Sequence, residues 1–239
     1  MKSFRLYIFG FLFLTLGACD DFLTEVPETA VAEEEAMTNL ESAEQVIVGV
    51  YSCFKNSSLY SGALIQATEI QTDLLYASIG YSNQFGNFYR WETTPNESVL
   101  LSVYGGLYQI IARCNFFMDH AETVRQTLKT ESERATMDKY EGDVRFMRAL
   151  AYADLIRTYC EAYEPSTATQ KLGVPLYLHY REGDGSSVKK PRATLEASYA
   201  QVLEDLNKAD ELVTRIGSDA AFVTEGAVDA LLARVYLYM

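Results

Sequence analysis

Apolar residues that recur every three or four positions constrain the fold of this 239-residue chain more than any other feature. The longest such run follows Thr94–Glu97, where threonine, proline and glutamate stand in the order of an N-cap, a first helical residue and a capping glutamate. A long helix is therefore predicted from this point to about Arg125. Its apolar face consists of Leu100, Val103, Leu107, Ile111, Cys114, Met118 and Ala121.

Two more helices are predicted from the same spacing. Thr38 and Glu41 are spaced as a capping box, and the apolar residues behind them predict a helix that ends at about Lys55. A further helix is predicted from Glu131 to about Tyr159. The apolar faces are Ala43, Val46, Ile47, Val50 and Phe54 in the first helix, and Tyr140, Val144, Met147, Ala151 and Leu155 in the second.

The last quarter of the chain predicts two helices. Thr194 opens one, which Gly217 stops, and Thr224 opens the other, from Ala227 to Tyr238. The apolar residues of the last helix keep their helical spacing up to the final residue, without a stop signal. Helical-repeat proteins cover such an apolar face with the next repeat, so the sequence is predicted to be truncated. The apolar face of the Thr194 helix is Leu195, Tyr199, Val202, Leu206, Ala209 and Val213.

Two long segments lack a sustained period and are predicted to be loops. Residues 64–93 are rich in aromatic side chains and are broken by glycine and asparagine, with a short helix near Ile65–Leu75. Residues 161–190 contain two prolines and three glycines, which leave room only for short extended pieces such as Val174–Tyr180. The predicted fold class is therefore all-α with long irregular loops.

The amino terminus has the order of a secretion signal. Lys2 and Arg5 precede an apolar run, Leu6–Leu16, that is too short to span a bilayer, for which roughly 20 residues are needed. Leu16–Cys19 resembles a bacterial lipobox, in which the cysteine is acylated. Residues 1–18 are thus predicted to be a lipoprotein signal peptide, with Cys19 as the lipidation site. The alternative is an ordinary signal peptide with an incidental cysteine.

Behind this signal, residues 19–37 are predicted to form an acidic tether, and residues 38–239 a helical domain. The net formal charge of the chain is −13, and loss of residues 1–18, which hold two basic and no acidic residues, makes it −15. Such a charge disfavours nucleic acid as a partner, since phosphate binding needs clustered Lys and Arg. A catalytic zinc site is not predicted, because the only histidines, His120 and His179, are isolated, and the sequence predicts no other metal or cofactor.

Seven ordered motifs resemble the SusD/RagB outer-membrane lipoproteins and cover essentially the whole chain. They depart from the family pattern at Gly142–Val144 and at Tyr159–Cys160, in ways that leave the resemblance standing. The motifs are Cys19–Leu23 with Pro27, Gly49–Tyr51, Arg145–Tyr152, Gly173–Leu176, Arg192–Thr194 with Tyr199, Asp205–Leu206 and Ala233–Tyr238.

The resemblance implies a scaffold of tetratricopeptide-like helix pairs, with irregular loops on one side that form the ligand site. It also implies a carboxy-terminal half that this sequence lacks. The implied partners are an oligosaccharide or peptide ligand and a TonB-dependent, SusC-like transporter on which the protein sits as a lid. The implied location is the outer membrane, lipid-anchored and facing the exterior.

A sugar presents apolar C–H faces and hydroxyl edges, so a site for it needs aromatic platforms beside carboxylate, amide and guanidinium groups. The loop from Asp73 to Trp91, called the aromatic loop below, offers this mixture, with the only tryptophan of the chain, Trp91, as the platform. The alternative is that Trp91, Phe88 and Tyr76 merely anchor the loop to the helices. The predicted ligand-binding residues are Asp73, Tyr81, Asn83, Asn87, Tyr89, Arg90 and Trp91.

Enzyme activity is not supported by the sequence. Asp143, Arg145 and Arg148 share a helix, but they favour a structural ion pair over catalysis. A chain with 33 acidic residues always contains pairs of carboxylates, so a pair indicates glycoside hydrolysis only where the distance between the two carboxylates is known. A glycan-capturing protein, a helical-repeat docking or peptide-binding protein, and a surface hydrolase remain as hypotheses, with the first preferred.

Overall fold

The computed structural model describes residues 33–72, 74–76, 78, 85–180, 189–214 and 221–239. The chain divides into two compact units, residues 1–36 and 37–239. Only residues 33–36 of the first unit are described, with a 3-10 turn at Glu33–Glu35. The predicted signal peptide, Cys19 and most of the predicted tether therefore lie outside the described residues.

The described part of the second unit is all-helical, which confirms the predicted fold class. Its only β-pairing among the described residues is an isolated bridge between Leu172 and Thr194. In chain order the helices are α1 (Leu40–Cys53), α2 (Ala63–Glu69), α3 (Gly86–Tyr89), α4 (Ser98–Arg125), α5 (Glu131–Tyr159), α6 (Leu195–Leu212) and α7 (Glu225–Tyr238).

Helix α5 lies at the centre of the scaffold and packs against α1, α4, α6 and α7. All five apolar residues predicted for its inner face are buried, which confirms that face. Thr130 and Glu133 form its capping box: the threonine hydroxyl accepts from Glu133 N–H, and the glutamate accepts from Thr130 N–H. These backbone hydrogen bonds lower the pKa of Glu133.

The close contact between α5 and the end of α6 depends on Gly142. A Cβ atom at this position would lie 2.7 Å from Cγ2 of Val213 and 3.1 Å from Cβ of Leu212. The glycine weakens the helix by about 1 kcal/mol relative to alanine, but it lets the two backbones approach. The predicted face of α6, from Leu195 to Val213, is buried along its whole length.

Two predicted helix starts are wrong. The N-cap of α1 is Asn39, whose side chain accepts from Ser42 N–H at 2.9 Å while Ser42 reaches back to Asn39 N–H, so the capping box is not Thr38–Glu41. Asparagine is the stronger N-cap of the two candidates. Helix α4 begins at Ser98 rather than at Thr94, because the Glu97 carboxylate bonds to Asn87 and does not cap the helix.

No helix among the described residues is long and apolar enough to cross a membrane. The three described cysteines are free thiols. Burial raises the pKa of each of them, Cys53, Cys114 and Cys160, which disfavours the reactive thiolate form. Cys114 is buried in the main core, and Cys53 and Cys160 are partly buried against it, so all three serve as small packing residues.

Candidate functional site

The aromatic loop is fixed to the scaffold by a small apolar cluster separate from the main core. Phe85 and Phe88, with ring centroids 5.9 Å apart, pack with Ala67 and Ile70 from α2 and its C-terminal end. Phe88 is only 3% exposed. The loop after α3 therefore starts from a rigid base.

Trp91 projects from this base into solvent. Its side chain is 72% exposed, and its backbone has a positive φ of 58°. Trp91 N–H donates to the Phe88 carbonyl at 3.1 Å, and Glu92 N–H donates to the Asn87 carbonyl at 2.8 Å. These two bonds are those of a Schellman motif, in which the left-handed residue is usually glycine.

A tryptophan at this position is therefore held in a conformation that a Cβ-bearing residue disfavours. A left-handed residue other than glycine costs roughly 1–2 kcal/mol. Strained backbone of this kind persists only where the surrounding structure over-determines it, and it clusters at functional sites. The anchored turn therefore holds the Trp91 indole, the only one in the chain, in a position exposed to solvent.

A short polar network surrounds the turn. The Asn87 amide donates to Glu97 Oε1 at 2.8 Å, and its carbonyl oxygen accepts from Arg90 Nη2 at 2.8 Å. Arg90 Nε also pairs with Glu92 at 2.8 Å. Both side chains of that ion pair are exposed, so it contributes little to stability. The network orients the amide and guanidinium groups next to Trp91.

The structure brings four of the seven predicted ligand residues together at this turn: Asn87, Tyr89, Arg90 and Trp91. The other three, Asp73, Tyr81 and Asn83, lie outside the described residues. Of the three aromatics weighed as anchors, Phe88 is buried, whereas Trp91 and Tyr76 are 72% and 80% exposed. Only Phe88 of these packs as an anchor.

A cavity of about 260 Å³ lies beside the same loop, and sequence reasoning missed it. Its walls come from α2, the loop on either side of Trp91, the start of α4 and the end of α5. Residues so far apart in the chain give no local signal. Its lining includes Ala67, Gln71, Phe88, Thr93, Leu100 and Thr158.

A second polar cluster is fully buried under residues 174–180. Arg148 forms a bidentate pair with Asp205 of α6, at 2.8 Å from Nε and 2.6 Å from Nη2, and donates to Asn115 Oδ1 of α4 at 2.8 Å. Burial alone would lower the pKa of Arg148, but the Asp205 carboxylate raises it. The predicted structural role of Arg148 is confirmed, although its acidic partner lies on another helix and is not Asp143.

The same cluster fastens the loop after α5 to the scaffold. Asn115 Nδ2 donates to the Tyr177 carbonyl at 2.8 Å. The hydroxyl of Tyr152 donates to that carbonyl at 2.7 Å and accepts from Tyr177 N–H at 2.9 Å. This segment, predicted to be irregular, is therefore ordered by side chains that satisfy its backbone.

Several titratable groups away from this cluster form structural contacts. His179 Nδ1 lies 2.9 Å from Asp119 Oδ1, and His120 Nδ1 lies 2.9 Å from the Phe116 carbonyl. Tyr60 donates to Asp154, a buried carboxylate whose pKa is raised by desolvation. In the described ranges, no three histidine, cysteine or acidic side chains come together as metal ligands.

Comparison with known proteins agrees with this architecture. A SusD superfamily protein from Bacteroides vulgatus superposes with a TM-score of 0.72 at 22% identity, covering 84% of this chain and 44% of that one. A laminarin-binding SusD-like protein superposes with a TM-score of 0.65 at 21% identity, covering 84% and 41%. At these identities the likeness shows the fold alone.

Sequence comparison gives the family. The curated SusD-like protein P25 of Formosa agariphila is 26% identical over 176 residues, which are 68% of this chain and 31% of that protein. Residues 21–237 match the SusD-like family model described as starch-binding and associating with the outer membrane, and the chain belongs to this family. It spans less than half the length of the relatives it matches here.

Proposed function

We propose that this protein binds an oligosaccharide at the aromatic loop and performs no chemistry on it. The observation that carries the proposal is Trp91, an exposed indole held at a positive φ on a turn that is anchored from below. A flat aromatic face that is rigid before binding can stack on the C–H face of a sugar without the entropic cost of ordering a loop.

The polar groups beside Trp91 suit sugar hydroxyls. Arg90 offers guanidinium donors, Asn87 an amide, and Glu92 and Glu97 carboxylate acceptors, all linked within hydrogen-bond distance. Hydroxyl groups both donate and accept, so a pre-oriented set of donors and acceptors can bind them without a large rearrangement. The carbohydrate-binding description of the family supports the same ligand class.

The proposal includes delivery of the bound sugar to a TonB-dependent, SusC-like transporter in the outer membrane, with a lipid anchor at Cys19. The outer-membrane association of the family and the lipobox-like Leu16–Cys19 support this arrangement. We expect metabolic labelling with a fatty acid to mark the wild-type protein and to leave a Cys19→Ala variant unlabelled. Equal labelling of both would refute the anchor.

Replacing Trp91 with glycine separates the effect of its strained backbone from the effect of its stacking face. Glycine adopts the left-handed conformation without strain, so we expect the thermal midpoint to stay the same or rise. Loss of the stacking face should weaken oligosaccharide binding by ~1–3 kcal/mol, which is about 5- to 150-fold in Kd. Calorimetric titration and thermal melting of the protein without residues 1–19 measure both effects.

The matched control is Tyr236→Ala, which removes another exposed aromatic ring, on α7. We expect this change to leave the Kd for the same sugar within twofold of wild type. Undiminished binding by the Trp91→Gly variant would show that the indole is not the platform. A drop of equal size in both variants would show a non-specific effect of lost aromatic surface.

A further inference from the structure

Arg157, near the end of α5, brings a positive charge to the lining of the cavity beside the aromatic loop. None of the described residues that line this cavity is acidic. The chain as a whole carries a net formal charge of −13. A ligand group that enters this cavity therefore meets a cation and no carboxylate in the lining, on a protein that is otherwise rich in negative charge.

The charge of Arg157 is only partly neutralised by the scaffold. Within the described residues its one ion pair is with Asp154, a turn earlier in α5, at 3.4 Å from Nη2. Asp154 is 1% exposed, does not line the cavity and also accepts a hydrogen bond from Tyr60. Desolvation raises the pKa of Asp154, and the guanidinium groups of Arg157 and Arg234 of α7 oppose this shift. Two cations therefore share one buried carboxylate, which leaves an excess of positive charge beside the cavity.

Arg157 also has N–H donors left for a ligand. A guanidinium carries five of them in a planar fork that matches the oxygens of a carboxylate or a similar oxyanion. In the described part of the chain it donates to Asp154 and interacts with Tyr238 of α7. Its side chain is 36% exposed, so an oxyanion can reach the remaining donors.

The rest of the lining suits a sugar ring. Phe88 and Leu100 contribute apolar surface, and Gln71, Thr93 and Thr158 contribute an amide and hydroxyl groups. The cavity measures about 260 Å³, slightly less than the pockets of about 300–1,000 Å³ that hold drug-sized ligands. It therefore has the size for one sugar ring with its substituents.

We infer that this cavity binds the oxyanion of an acidic sugar, a carboxylate or a sulfate ester, with Arg157 as the recognising cation. The inference rests on the proposed function, because it names the class of glycan that the protein takes. A charge-assisted hydrogen bond is roughly twice as strong as one between neutral groups. A sugar that carries the oxyanion should therefore bind more tightly than the same sugar without it.

Matched pairs of ligands test the inference by calorimetric titration. Oligogalacturonate and oligomannuronate are each compared with their methyl esters, and a sulfated galactan oligosaccharide is compared with its desulfated form. We expect the acidic member of at least one pair to bind tighter by about tenfold or more. The pair that shows this preference identifies the oxyanion as carboxylate or sulfate. If no acidic member binds more tightly than its neutral counterpart, the inference is overturned.

Two substitutions change the charge of the lining. Arg157→Gln removes the cation, and Gln71→Glu adds a carboxylate at nearly constant side-chain shape. We expect each to raise the Kd for the acidic ligand by about tenfold or more, and to leave the Kd for the neutral counterpart within about threefold. Thermal melting of each variant shows whether the fold is retained.

Each substitution has a matched control. Arg134→Gln removes another arginine of α5, whose ion pair with Glu131 has the same spacing in the helix and a similar distance of 3.5 Å, but which does not line the cavity. Gln66→Glu adds the same carboxylate to α2 at an exposed position outside this cavity. Both controls should leave the Kd for the acidic ligand within about twofold of wild type.

The outcomes separate this inference from the proposed function. An equal loss of acidic and neutral binding in Arg157→Gln would show that the arginine shapes the site without recognising charge, and would overturn the inference. An equal loss of acidic binding in Arg134→Gln would show a general effect of net charge and would also overturn it. Binding of neutral sugars alone would overturn the inference and leave the Trp91 platform in place, whereas no binding of any sugar would overturn both.

Discussion

Replacing Arg148 with methionine lowers the free energy of unfolding by up to about 3–5 kcal/mol, because it leaves the buried Asp205 carboxylate without its bidentate partner and with only the more distant Arg145 guanidinium, at 3.5 Å. Both side chains are almost completely buried, at 6% and 0% exposure, so water does not replace the lost bonds. Asn115 loses a donor in the same step. Urea unfolding followed by circular dichroism measures the change.

Two further variants distinguish the loss of the bidentate ion pair from the loss of side-chain packing. The double variant Arg148→Met with Asp205→Leu removes both charges, and we expect it to recover most of the lost stability. Lys208→Met on α6 breaks an exposed ion pair with Glu211 and should cost less than about 1 kcal/mol. A double variant as unstable as the single one would contradict the electrostatic explanation.

Tyr152→Phe is expected to cost about 1–3 kcal/mol, since the Tyr177 N–H loses the hydroxyl that accepts its hydrogen bond, whereas the Tyr177 carbonyl keeps its hydrogen bond from Asn115. The ring of Tyr152 is fully buried, and phenylalanine preserves its packing. We also expect faster hydrogen exchange of the Tyr177 amide. Chemical denaturation and exchange measured by mass spectrometry report the two effects.

Tyr163→Phe is the matched control. Tyr163 packs edge-on against Tyr199 with ring centroids 5.2 Å apart, and within the described residues its hydroxyl has no hydrogen bond. This change should alter the unfolding free energy by less than about 0.5 kcal/mol. If Tyr152→Phe changed the free energy of unfolding as little as Tyr163→Phe, the Tyr152 hydrogen bonds would not stabilise residues 174–180, and packing alone would hold them.

The long helices were predictable because the residues that they bury are apolar and recur along the sequence every three or four positions. Helix α5 matches its predicted bounds, and α4 matches at its end, Arg125. The starts of α1 and α4 were less predictable, since several neighbouring residues there can cap a helix. The choice of Asn39 depends on Ser42, and the late start of α4 depends on the hydrogen bond between Glu97 and Asn87.

The composition of the candidate site follows from the sequence, but its shape does not. The sequence identifies Trp91 as the largest stacking face, but it gives no sign that Trp91 occupies a position at which glycine is usual. Helix α3, with four residues, is too short for a periodic pattern. The Arg148–Asp205 pair joins residues 57 positions apart, and the cavity brings α2 next to the end of α5; such contacts follow only from the packing of helices.

The central claim is that the protein captures a glycan without altering it. Its most direct test incubates the protein without residues 1–19 with a panel of oligosaccharides and peptides, then measures affinity by calorimetry and the chemical state of each compound by chromatography. We expect at least one oligosaccharide class to bind and to be recovered intact. Binding of peptides alone, or release of shorter sugars during incubation, would contradict the account.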